Sequence, residues 1–378
     1  MPLSRCLNIA DLREAARRRA HRMVFDYIDG GADDEVTLAW NSDAFGRYAF
    51  HHRVLTGVAA PDLSTTLLGQ RIGVPFVLSP SAGNRLFHTD GERGPARAAA
   101  KYETVYALST LSSVSIEEIG TLTSGPKWFQ LYVWKDKALV KEMLDRAKAA
   151  GYEALVLTVD LAVAGNRERD PRNQFTVPPK ITLPLLMEAL RSPAWTRDYL
   201  KGPAIGFANL SKDQPAASLS AFVDAQLDAT FSWSDAEWVL GEWGGPAVLK
   251  GVMRADDAKR AVASGFPAIA ISNHGGRQLD FSPAPVTCIA PIREAIGGDA
   301  DLICDGGVRR GTDVLKAIAL GANAVSFARP YLYGLAAGGT AGAIRALDIL
   351  VDEIRRDMIL VGAASIDELT ADLISSWC

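Results

Sequence analysis

The sequence predicts an α/β protein in which eight parallel strands close into a TIM (β/α)8 barrel. From residue 75 onward, short apolar and β-rich segments alternate with helical ones. The strand segments are apolar almost throughout, which is typical of a parallel sheet covered by helices. Eight is the strand number that closes this barrel, and 378 residues are enough for one large barrel.

The predicted elements follow one another in a regular order. The strands span residues 75–80, 105–109, 128–133, 154–160, 247–251, 268–272, 301–305 and 324–328. The helices between and after them span residues 92–102, 115–119, 136–150, 255–264, 310–320 and 342–358. A doubly wound open sheet is the alternative, and it is disfavoured because no GxGxxG turn follows the first strand.

Two further helices are predicted ahead of the barrel. Residues 8–23 have one apolar face, with Asp11 as the expected N-cap, and a second helix begins within 33–38. Tyr27 and a glycine pair lie between them. The whole chain, residues 1–378, is predicted to form a single barrel domain.

Composition excludes several classes of function. A net charge of −4 argues against nucleic-acid binding, and a hydrophobic content of 48% is usual for a soluble globular protein. The four cysteines are scattered without a CxxC pair, which argues against a zinc site or disulfide framework and favours a reducing cytosol. We expect no signal peptide, and no run approaches the roughly 20 apolar residues of a membrane span.

One segment interrupts the alternation. About ninety residues separate the fourth strand from the fifth, although such connections usually have two to six residues. We assign about 168–230 to an insertion, whose centre at 180–212 is apolar and carries five basic against two acidic side chains. An apolar, basic insertion suits contact with a membrane interface. A lid over the barrel mouth, or an oligomer contact, is the alternative.

The carboxyl ends of the strands predict a functional site. Catalytic residues of such barrels lie at these ends, and a ring of polar groups there is not needed for stability. The residues concerned are Ser81, Ala82, Ser109, Gln130, Tyr132, Thr158, Asp160, Lys250, Ser272, His274, Arg277, Asp305, Ala328 and Arg329.

The ends of the seventh and eighth strands predict a phosphate site. Gly306, Gly307 and Ala328 are small, so backbone N–H groups can approach an anion there. Arg309 and Arg329 follow closely and supply positive charge. Phosphate groups bind at this position in many barrels of this kind.

The loop after the sixth strand predicts acid–base chemistry. His274 can either cap backbone carbonyls or take a proton from a substrate. The second role is favoured because Asp160 is available to orient the ring and stabilise the imidazolium. The arginines Arg277 and Arg167 suit a carboxylate, which a planar guanidinium can hold through two hydrogen bonds.

Two tyrosines, Tyr132 and Tyr27, can hydrogen-bond the same substrate oxygens. The residues together therefore predict a phosphate-bearing cofactor and a small carboxylic acid, with a histidine base. No acidic cluster is arranged to bind a metal.

The run SNHGGRQLD at 272–280 resembles the signature of the FMN-dependent L-2-hydroxy acid oxidases and dehydrogenases. The resemblance covers nearly the whole chain, including MVFDY at 23–27, WFQLY at 128–132, LTVD at 157–160 and DGGVRRGTD at 305–313. The run at 160–170 and the long insertion are most similar to the membrane-associated (S)-mandelate and respiratory L-lactate dehydrogenases.

This resemblance implies that FMN is the cofactor and that an L-2-hydroxy acid, lactate or mandelate-like, is oxidised to the 2-oxo acid. His274 would be the base and Asp160 its support. Arg277 and Arg167 would bind the carboxylate with help from Tyr27, and Tyr132 would contact the substrate hydroxyl. Lys250 would lie beside the flavin and stabilise its reduced form.

The other cofactor contacts are also implied by the resemblance. The flavin ring and ribityl chain would contact Pro80, Ser81, Ala82, Ser109, Gln130, Thr158 and Ser272. The phosphate would be held by Asp305, Gly306, Gly307, Val308, Arg309, Ala328 and Arg329. Three positions depart from the pattern of some relatives. Ala328 stands where relatives usually have glycine. Leu111 stands where glycolate oxidase has tryptophan and mandelate dehydrogenase a small residue. Ala82 stands where mandelate dehydrogenase has glycine and the oxidases have alanine, which leaves the electron acceptor open.

The insertion favours a quinone or another membrane acceptor over oxygen. We therefore expect a cytoplasmic enzyme, peripheral on the inner face of the membrane, and a homotetramer by resemblance. A soluble oxidase that releases hydrogen peroxide is the alternative. A flavin-binding barrel without turnover is the remote one, because a binding protein has no need of a base.

Overall fold

The computed structural model describes residues 2–176, 183–210 and 225–376, without the side chains of 183–186. The N-terminal part contains three helices, α1 (Ile9–Arg19), α2 (Arg22–Asp29) and α3 (Val36–Asp43). Three short strands follow, β1 (Tyr48–Phe50), β2 (Thr65–Leu67) and β3 (Gln70–Ile72), and β2 pairs with β3.

The prediction of one helix over 8–23 is wrong, because the chain breaks at Ala20 into α1 and α2. Ala20 has extended backbone angles, and the ring of His21 accepts a hydrogen bond from Met23 N at 3.2 Å, which caps α2. The expected N-cap is also wrong: Asn8 caps α1 by accepting from Asp11 N at 2.8 Å. Apolar spacing continues across the break, so the pattern could not reveal it.

Eight parallel strands form a closed barrel, which confirms the predicted fold class. The strands are β4 (Phe76–Leu78), β5 (Tyr106–Ser109), β6 (Lys127–Tyr132), β7 (Ala154–Thr158), β8 (Ala247–Val252), β9 (Ala268–Ser272), β10 (Asp301–Asp305) and β11 (Ala324–Phe327). Each strand pairs with its neighbour in sequence, and β11 pairs with β4 to close the ring. Nearly all strand residues are buried, as expected when helices cover the outside.

Helices surround the barrel. They are α4 (Arg93–Lys101), α5 (Ile116–Leu122), α6 (Lys137–Ala149), α7 (Arg169–Arg172), α8 (Leu183–Arg191), α9 (Pro193–Lys201), α10 (Trp233–Trp243), α11 (Ala255–Ala263), α12 (Pro285–Ile296), α13 (Gly311–Ala319) and α14 (Arg329–Val361). The sequence prediction missed α10 and α12. Helix α12 contains Pro291, which ordinarily signals a helix break. Helix α10 lies between the insertion and the fifth predicted strand, where the sequence analysis assigned no helix. A last strand, β12 (Ile374–Ser376), pairs with β1.

The helix predicted over 342–358 is only the second part of α14, which begins at Arg329. Gly338 and Gly339 have non-helical angles and interrupt it, and these glycines concealed the first part in the sequence. By length and composition α14 could cross a membrane, but 61% of its most apolar window is buried. It packs against α1, α4 and α13 and is a core helix.

The inserted segment is partly docked on the barrel through α9. Trp195 is buried, and its Nε1 donates to Leu86 O at 2.8 Å. Arg85 donates to the carbonyls of Asp198 and Tyr199 in the last turn of α9, at 3.4 and 3.0 Å. Cations are favourable at a helix C-terminus, so Arg85 holds α9 in place. Residues 177–182 and 211–224 of the predicted insertion lie outside the described residues.

Candidate active site

A cleft of about 220 Å³ opens at the carboxyl ends of the barrel strands. Most of the strand-end residues expected from the sequence line it. They are Tyr27, Pro80, Ser81, Ala82, Tyr132, Thr158, Arg167, Lys250, His274, Arg277, Asp305, Gly306, Gly307, Arg309, Ala328 and Arg329. The other expected residues do not line the cleft. They are Asp160, Ser109, Gln130, Ser272 and Val308.

A histidine–aspartate pair lies at one side of the cleft. His274 Nδ1 is 2.9 Å from Asp160 Oδ1, and both side chains are largely buried. Burial lowers the pKa of His274 below its ordinary value and outweighs the opposite effect of Asp160. Burial disfavours ionised Asp160 too, but the charges of His274 and Lys250 outweigh it and hold the pKa of Asp160 below its usual range. The pair therefore consists of a neutral imidazole and a carboxylate near neutral pH.

The loop that carries His274 has an unusual backbone. His274, Gly275 and Gly276 have φ angles of 58°, 66° and 73°, which place three consecutive residues in the left-handed region. A Cβ atom on Gly276 would lie 2.6 Å from Leu38 N, so this position requires glycine. Left-handed non-glycine residues are uncommon and often occur at functional sites. The backbone N–H of His274 is fixed by Ser272 Oγ at 3.0 Å.

Two arginines bring positive charge to the same side of the cleft. Arg277 donates to the carbonyl oxygens of Tyr27 and Gly30 at 2.7 and 3.0 Å, through one terminal nitrogen. Burial and the charge of Arg167 lower the pKa of Arg277 to about 9, so the guanidinium remains charged at neutral pH. Within the described part of the chain, the hydrogen bonds of Arg167 are long, 3.4 Å to Arg277 O and 3.5 Å to Gln278 Oε1. Donors of both arginines are left for an anion.

The two expected tyrosines flank these groups. Tyr132 is buried, its ring centroid lies 6.4 Å from that of His274, and burial raises the pKa of Tyr132 to about 12. Its hydroxyl therefore remains a hydrogen-bond donor. Tyr27 stacks on Phe175 at 4.5 Å, and the guanidinium carbon of Arg277 lies 4.9 Å from the Tyr27 ring centroid. These contacts position Tyr27 and Arg277 relative to each other.

Lys250 adds a further positive charge to the cleft. Its Nζ is 3.0 Å from Asp305 Oδ2 and donates to Ser272 Oγ at 2.8 Å. Burial disfavours the charge, but Asp305 and Asp160 outweigh it and raise the pKa of Lys250. Lys250 therefore carries a positive charge at neutral pH. Its ion-pair partner, Asp305, is one of the residues that the resemblance places near the phosphate.

A row of polar side chains supports the floor of the cleft. Ser109 Oγ donates to Gln130 Oε1 at 3.1 Å, and Gln130 Nε2 donates to Thr158 Oγ1 at 3.1 Å. The three residues are fully buried and come from β5, β6 and β7, whose register places Ser109 beside Gln130. Thr158 reaches the cleft, whereas Ser109 and Gln130 hold it from behind.

Gly306 and Gly307, where the sequence predicts the phosphate site, both line the cleft. A Cβ atom on Gly307 would lie 1.9 Å from Asn41 O, so only glycine fits. Ala328 has φ −112°, and its methyl group therefore causes no left-handed strain. Arg309 Nη1 bonds to Val308 O at 2.7 Å and leaves further N–H groups for the cleft.

Arg329 has a second role that the sequence did not indicate. It donates to the carbonyls of Ile28, Gly30 and Gly275, at 3.0, 2.8 and 2.8 Å. Three of its five N–H groups are thus used to hold α2 and the His274 loop together. Its contribution to an anion site is correspondingly smaller.

Sequence reasoning missed several apolar lining residues. They are Ile28, Phe87, Leu161, Ala164, Leu227, Phe327 and Leu332. Leu161 and Ala164 follow Asp160 directly, so adjacency to a strand end was an available signal. Leu227 reaches the cleft from the far end of the insertion, where it pairs with Trp134, and no local pattern indicates this.

Comparison with known proteins gives the family. The model of the FMN-dependent dehydrogenase family matches residues 16–376. This chain belongs to that family. A putative L-lactate dehydrogenase of Mycobacterium tuberculosis is 38% identical over 97% of this chain and 89% of its own. Glycolate oxidase 1 of Zea mays is 40% identical over 96% of this chain and 94% of its own, and the L-lactate oxidase of a Nostoc species is 39% identical over 98% and 99%.

Solved structures agree with the family. The chain superposes on the monotopic membrane protein (S)-mandelate dehydrogenase with a TM-score of 0.95, at 35% identity, covering 98% of this chain and all of that one. A soluble mutant of the membrane-associated (S)-mandelate dehydrogenase from Pseudomonas putida gives a TM-score of 0.84, with 98% and 99% coverage. The resemblance expected from SNHGGRQLD is thereby confirmed. The protein is an FMN-dependent enzyme that oxidises 2-hydroxy acids.

The cleft fits FMN. It offers the Lys250 ammonium in its interior, and a corner with backbone N–H groups at Gly306 and Gly307 beside Arg309. Both residues of this corner are glycines with positive φ, and Gly307 packs too closely against Asn41 O to carry a side chain. Among the described residues, no group of three His, Cys, Asp or Glu side chains is arranged to hold a metal ion.

Proposed function

We propose that this enzyme oxidises an L-2-hydroxy acid, lactate or mandelate-like, to the 2-oxo acid, with His274 as the base. The observation that carries the proposal is the His274–Asp160 pair in a cleft that also contains Arg167 and Arg277. A base, its carboxylate partner and two carboxylate-binding cations are the groups that this substrate requires.

His274 takes the proton that the substrate releases on oxidation. Asp160 engages Nδ1, so Nε2 is the ring nitrogen left to accept this proton. The lowered pKa of His274 keeps the ring neutral beforehand, and the Asp160 carboxylate stabilises the imidazolium afterwards. Bound FMN supplies the two-electron acceptor for the substrate.

The other residues bind and orient the substrate. Arg277 and Arg167 hold its carboxylate, with Tyr27 beside Arg277, and the Tyr132 hydroxyl contacts the substrate oxygen at the reacting carbon. Tyr132 suits this role because its raised pKa keeps the proton on the phenol. The expectation of the L enantiomer comes from the resemblance to the FMN-dependent L-2-hydroxy acid oxidases and dehydrogenases.

The cofactor is proposed to lie along the remaining wall. Pro80, Ser81, Ala82 and Thr158 would contact the flavin ring and ribityl chain, and Lys250 would offset the negative charge that reduction places on the cofactor. Gly306, Gly307, Arg309 and Ala328 would hold its phosphate, with Arg329 adding positive charge. Ser109, Gln130, Ser272 and Val308 do not line the cleft and would support this layer. Asp305 lines the cleft and would act through its ion pair with Lys250.

The substrate side chain is proposed to contact an apolar part of the cleft. The residues are Ala82, Leu111, Leu161, Ala164 and Leu227. A methyl or phenyl group is compatible with such a surface, whereas a charged side chain would lose hydration without gaining a partner. Lactate and mandelate are therefore the first substrates to test.

We propose a membrane quinone as the electron acceptor, because α8 and α9 present an apolar, basic surface. Met187, Leu190 and Leu200 are 54%, 84% and 75% exposed. Leu190 and Leu200 line one shallow groove together with Arg197 and Lys201. The similarity in fold to the monotopic membrane protein (S)-mandelate dehydrogenase supports contact of this surface with a membrane.

Oxygen is the alternative acceptor. It is favoured by the similarity to glycolate oxidase and L-lactate oxidase. Under this alternative the protein is a soluble oxidase that releases hydrogen peroxide. The predicted homotetramer is compatible with either acceptor and remains a prediction.

The decisive experiment is anaerobic bleaching of the bound flavin by a panel of L- and D-2-hydroxy acids. We expect bleaching by L-lactate or L-mandelate and none by the D forms. The reduced protein is then mixed with oxygen or with a soluble quinone, and the faster reoxidation identifies the acceptor. No bleaching by any L-2-hydroxy acid would overturn the proposal.

A further inference from the structure

Asp305 is surrounded by hydrogen-bond donors of the chain itself. Ser79 Oγ and Ser326 Oγ donate to its Oδ1 at 2.5 and 2.6 Å. Ser272 Oγ donates to Oδ2 at 2.7 Å, and Lys250 Nζ lies 3.0 Å from the same oxygen. A carboxylate has about four acceptor positions. All of them are therefore occupied by protein groups.

The barrel register creates this arrangement. Asp305 ends β10, and its register partners are Ser272 on β9 and Ser326 on β11. Ser79 directly follows β4, the strand beside β11, and its backbone N–H is bonded to Phe327 O at 3.0 Å. Four neighbouring strands thus direct one polar side chain each to a single point, and all four side chains are buried.

The two oxygens of Asp305 have different partners. Lys250 contacts Oδ2, whereas Ser79 and Ser326 contact Oδ1 only. Burial works against the charged carboxylate, but Lys250 and the three hydroxyls outweigh it and lower the pKa of Asp305 to about 2. The hydroxyl donors on Oδ1 offset part of the negative charge of the Asp305 carboxylate. The carboxylate therefore neutralises less of the positive charge of the Lys250 ammonium, which contacts Oδ2.

We propose that Ser79 and Ser326 are positioning residues that act through Asp305 and Lys250 to raise the reduction potential of bound FMN. This inference rests on the proposed placement of Lys250 beside the flavin. Reduction adds negative charge to the cofactor, and a less neutralised ammonium stabilises that charge better. The proposed function assigns neither serine a part in substrate binding or proton transfer. Ser326 does not line the cleft, whereas Ser79 does, so Ser326→Ala is the cleaner of the two single variants.

Removal of the hydroxyls tests the proposal. Ser79→Ala, Ser326→Ala and the double variant are purified with FMN, and the midpoint potential is measured by titration at neutral pH. The double variant should shift to a more negative potential, by the equivalent of about a three- to tenfold change in the reduction equilibrium. That range corresponds to about 15–30 mV for a two-electron couple.

Two variants serve as controls. Ser192→Ala removes a buried hydroxyl that donates to Ala20 O, far along the chain from the barrel strands, and should leave the potential unchanged. Ser326→Thr keeps a hydroxyl on the same strand and should retain the potential of the parent protein. If the double variant loses FMN, each single variant should still show a smaller shift in the same direction.

Lys250→Met separates this inference from the proposed function. An unchanged potential in Lys250→Met would refute the placement of Lys250 beside the flavin. A fall in Lys250→Met, together with an unchanged or more positive potential in the flavin-loaded serine variants, would overturn the role of Ser79 and Ser326 alone.

Discussion

His274 Nδ1 lies 2.9 Å from Asp160 Oδ1, across a barrel in which the two residues are 114 positions apart in sequence. The contact joins the loop after β9 to the end of β7, at the edge where Arg167 and Arg277 also lie. This pairing leads to direct tests of the proposed chemistry.

Replacing the base should separate cofactor binding from turnover. We expect His274→Ala to retain FMN but to slow flavin reduction by about two to four powers of ten, the usual size of a general-base contribution. Stopped-flow reduction by the best L-2-hydroxy acid measures this. His52→Ala is the control, because His52 is exposed and does not line the cleft. Reduction at the parent rate would contradict the role of His274.

The carboxylate partner should change both the rate and its pH dependence. The base must be unprotonated, so kcat/KM should rise with pH up to the pKa of His274 and then level off. That pKa lies below its ordinary 6.5, so the plateau should already be reached near neutral pH. The Asp160→Asn variant loses the carboxylate that raises the pKa of His274. The rise of kcat/KM with pH should therefore move to still lower pH.

The same Asp160→Asn variant should lower the plateau of kcat/KM by about 10²-fold or more, because the imidazolium loses its counter-charge. The pH profile of kcat/KM between acid and neutral pH gives both values. A rise that moved to higher pH would show that Asp160 does not act on His274 as proposed.

Replacing the planar guanidinium of Arg167 or Arg277 by an ammonium group should weaken binding of the substrate carboxylate. We expect Arg167→Lys and Arg277→Lys each to lower kcat/KM by about 10- to 100-fold, since a hydrogen bond to a charged group contributes about 1.5–3 kcal/mol. Steady-state kinetics tests this, with the exposed Arg172→Lys as control. Because Arg277 also holds the carbonyls of Tyr27 and Gly30, its variant should be less stable to heat than Arg167→Lys. Unchanged kinetics in both variants would refute the proposed binding of the substrate carboxylate by Arg167 and Arg277.

The apolar part of the cleft should set the substrate size. Ala164 lines the cleft, so Ala164→Leu should reduce kcat/KM for mandelate more than for lactate by filling space that a phenyl group needs. The matched control is Ala162→Leu, at an exposed position two residues earlier that does not line the cleft. Equal losses of kcat/KM for mandelate and lactate would show that the substrate side chain does not lie beside Ala164.

The surface of α8 and α9 should determine membrane association. We expect the intact protein to sediment with anionic lipid vesicles and Leu190→Asp/Leu200→Asp to remain in solution, because charge at both positions opposes burial in the interface. Leu360→Asp, at another exposed leucine on α14, should still sediment. Flavin reduction should be unchanged in all three proteins. A parent protein that stays in solution would favour the alternative in which the insertion is a lid over the barrel mouth, and oxygen as the electron acceptor.

The fold and much of the cleft lining were readable from the sequence for a local reason. Parallel strands buried on both sides are continuous apolar runs, and their carboxyl ends meet at one edge. Listing the polar residues after each run therefore found Lys250, His274 and Arg277 without knowledge of any contact. Sequence reasoning failed where the apolar spacing carries no information about the backbone. It did not reveal the break at Ala20 or the first part of α14.

The sequence by itself determined the barrel, the order of its strands, the family and which residues stand at the strand ends. Only the tertiary structure decided which of those residues meet, because pairing depends on register and on loops that close over long separations. It alone brought Leu227 to the cleft beside Trp134, engaged three donors of Arg329 with backbone carbonyls, and joined Ser79, Ser326 and Ser272 around Asp305. A hydrogen bond about 3 Å long is a property of two positions in space, and sequence spacing does not encode it.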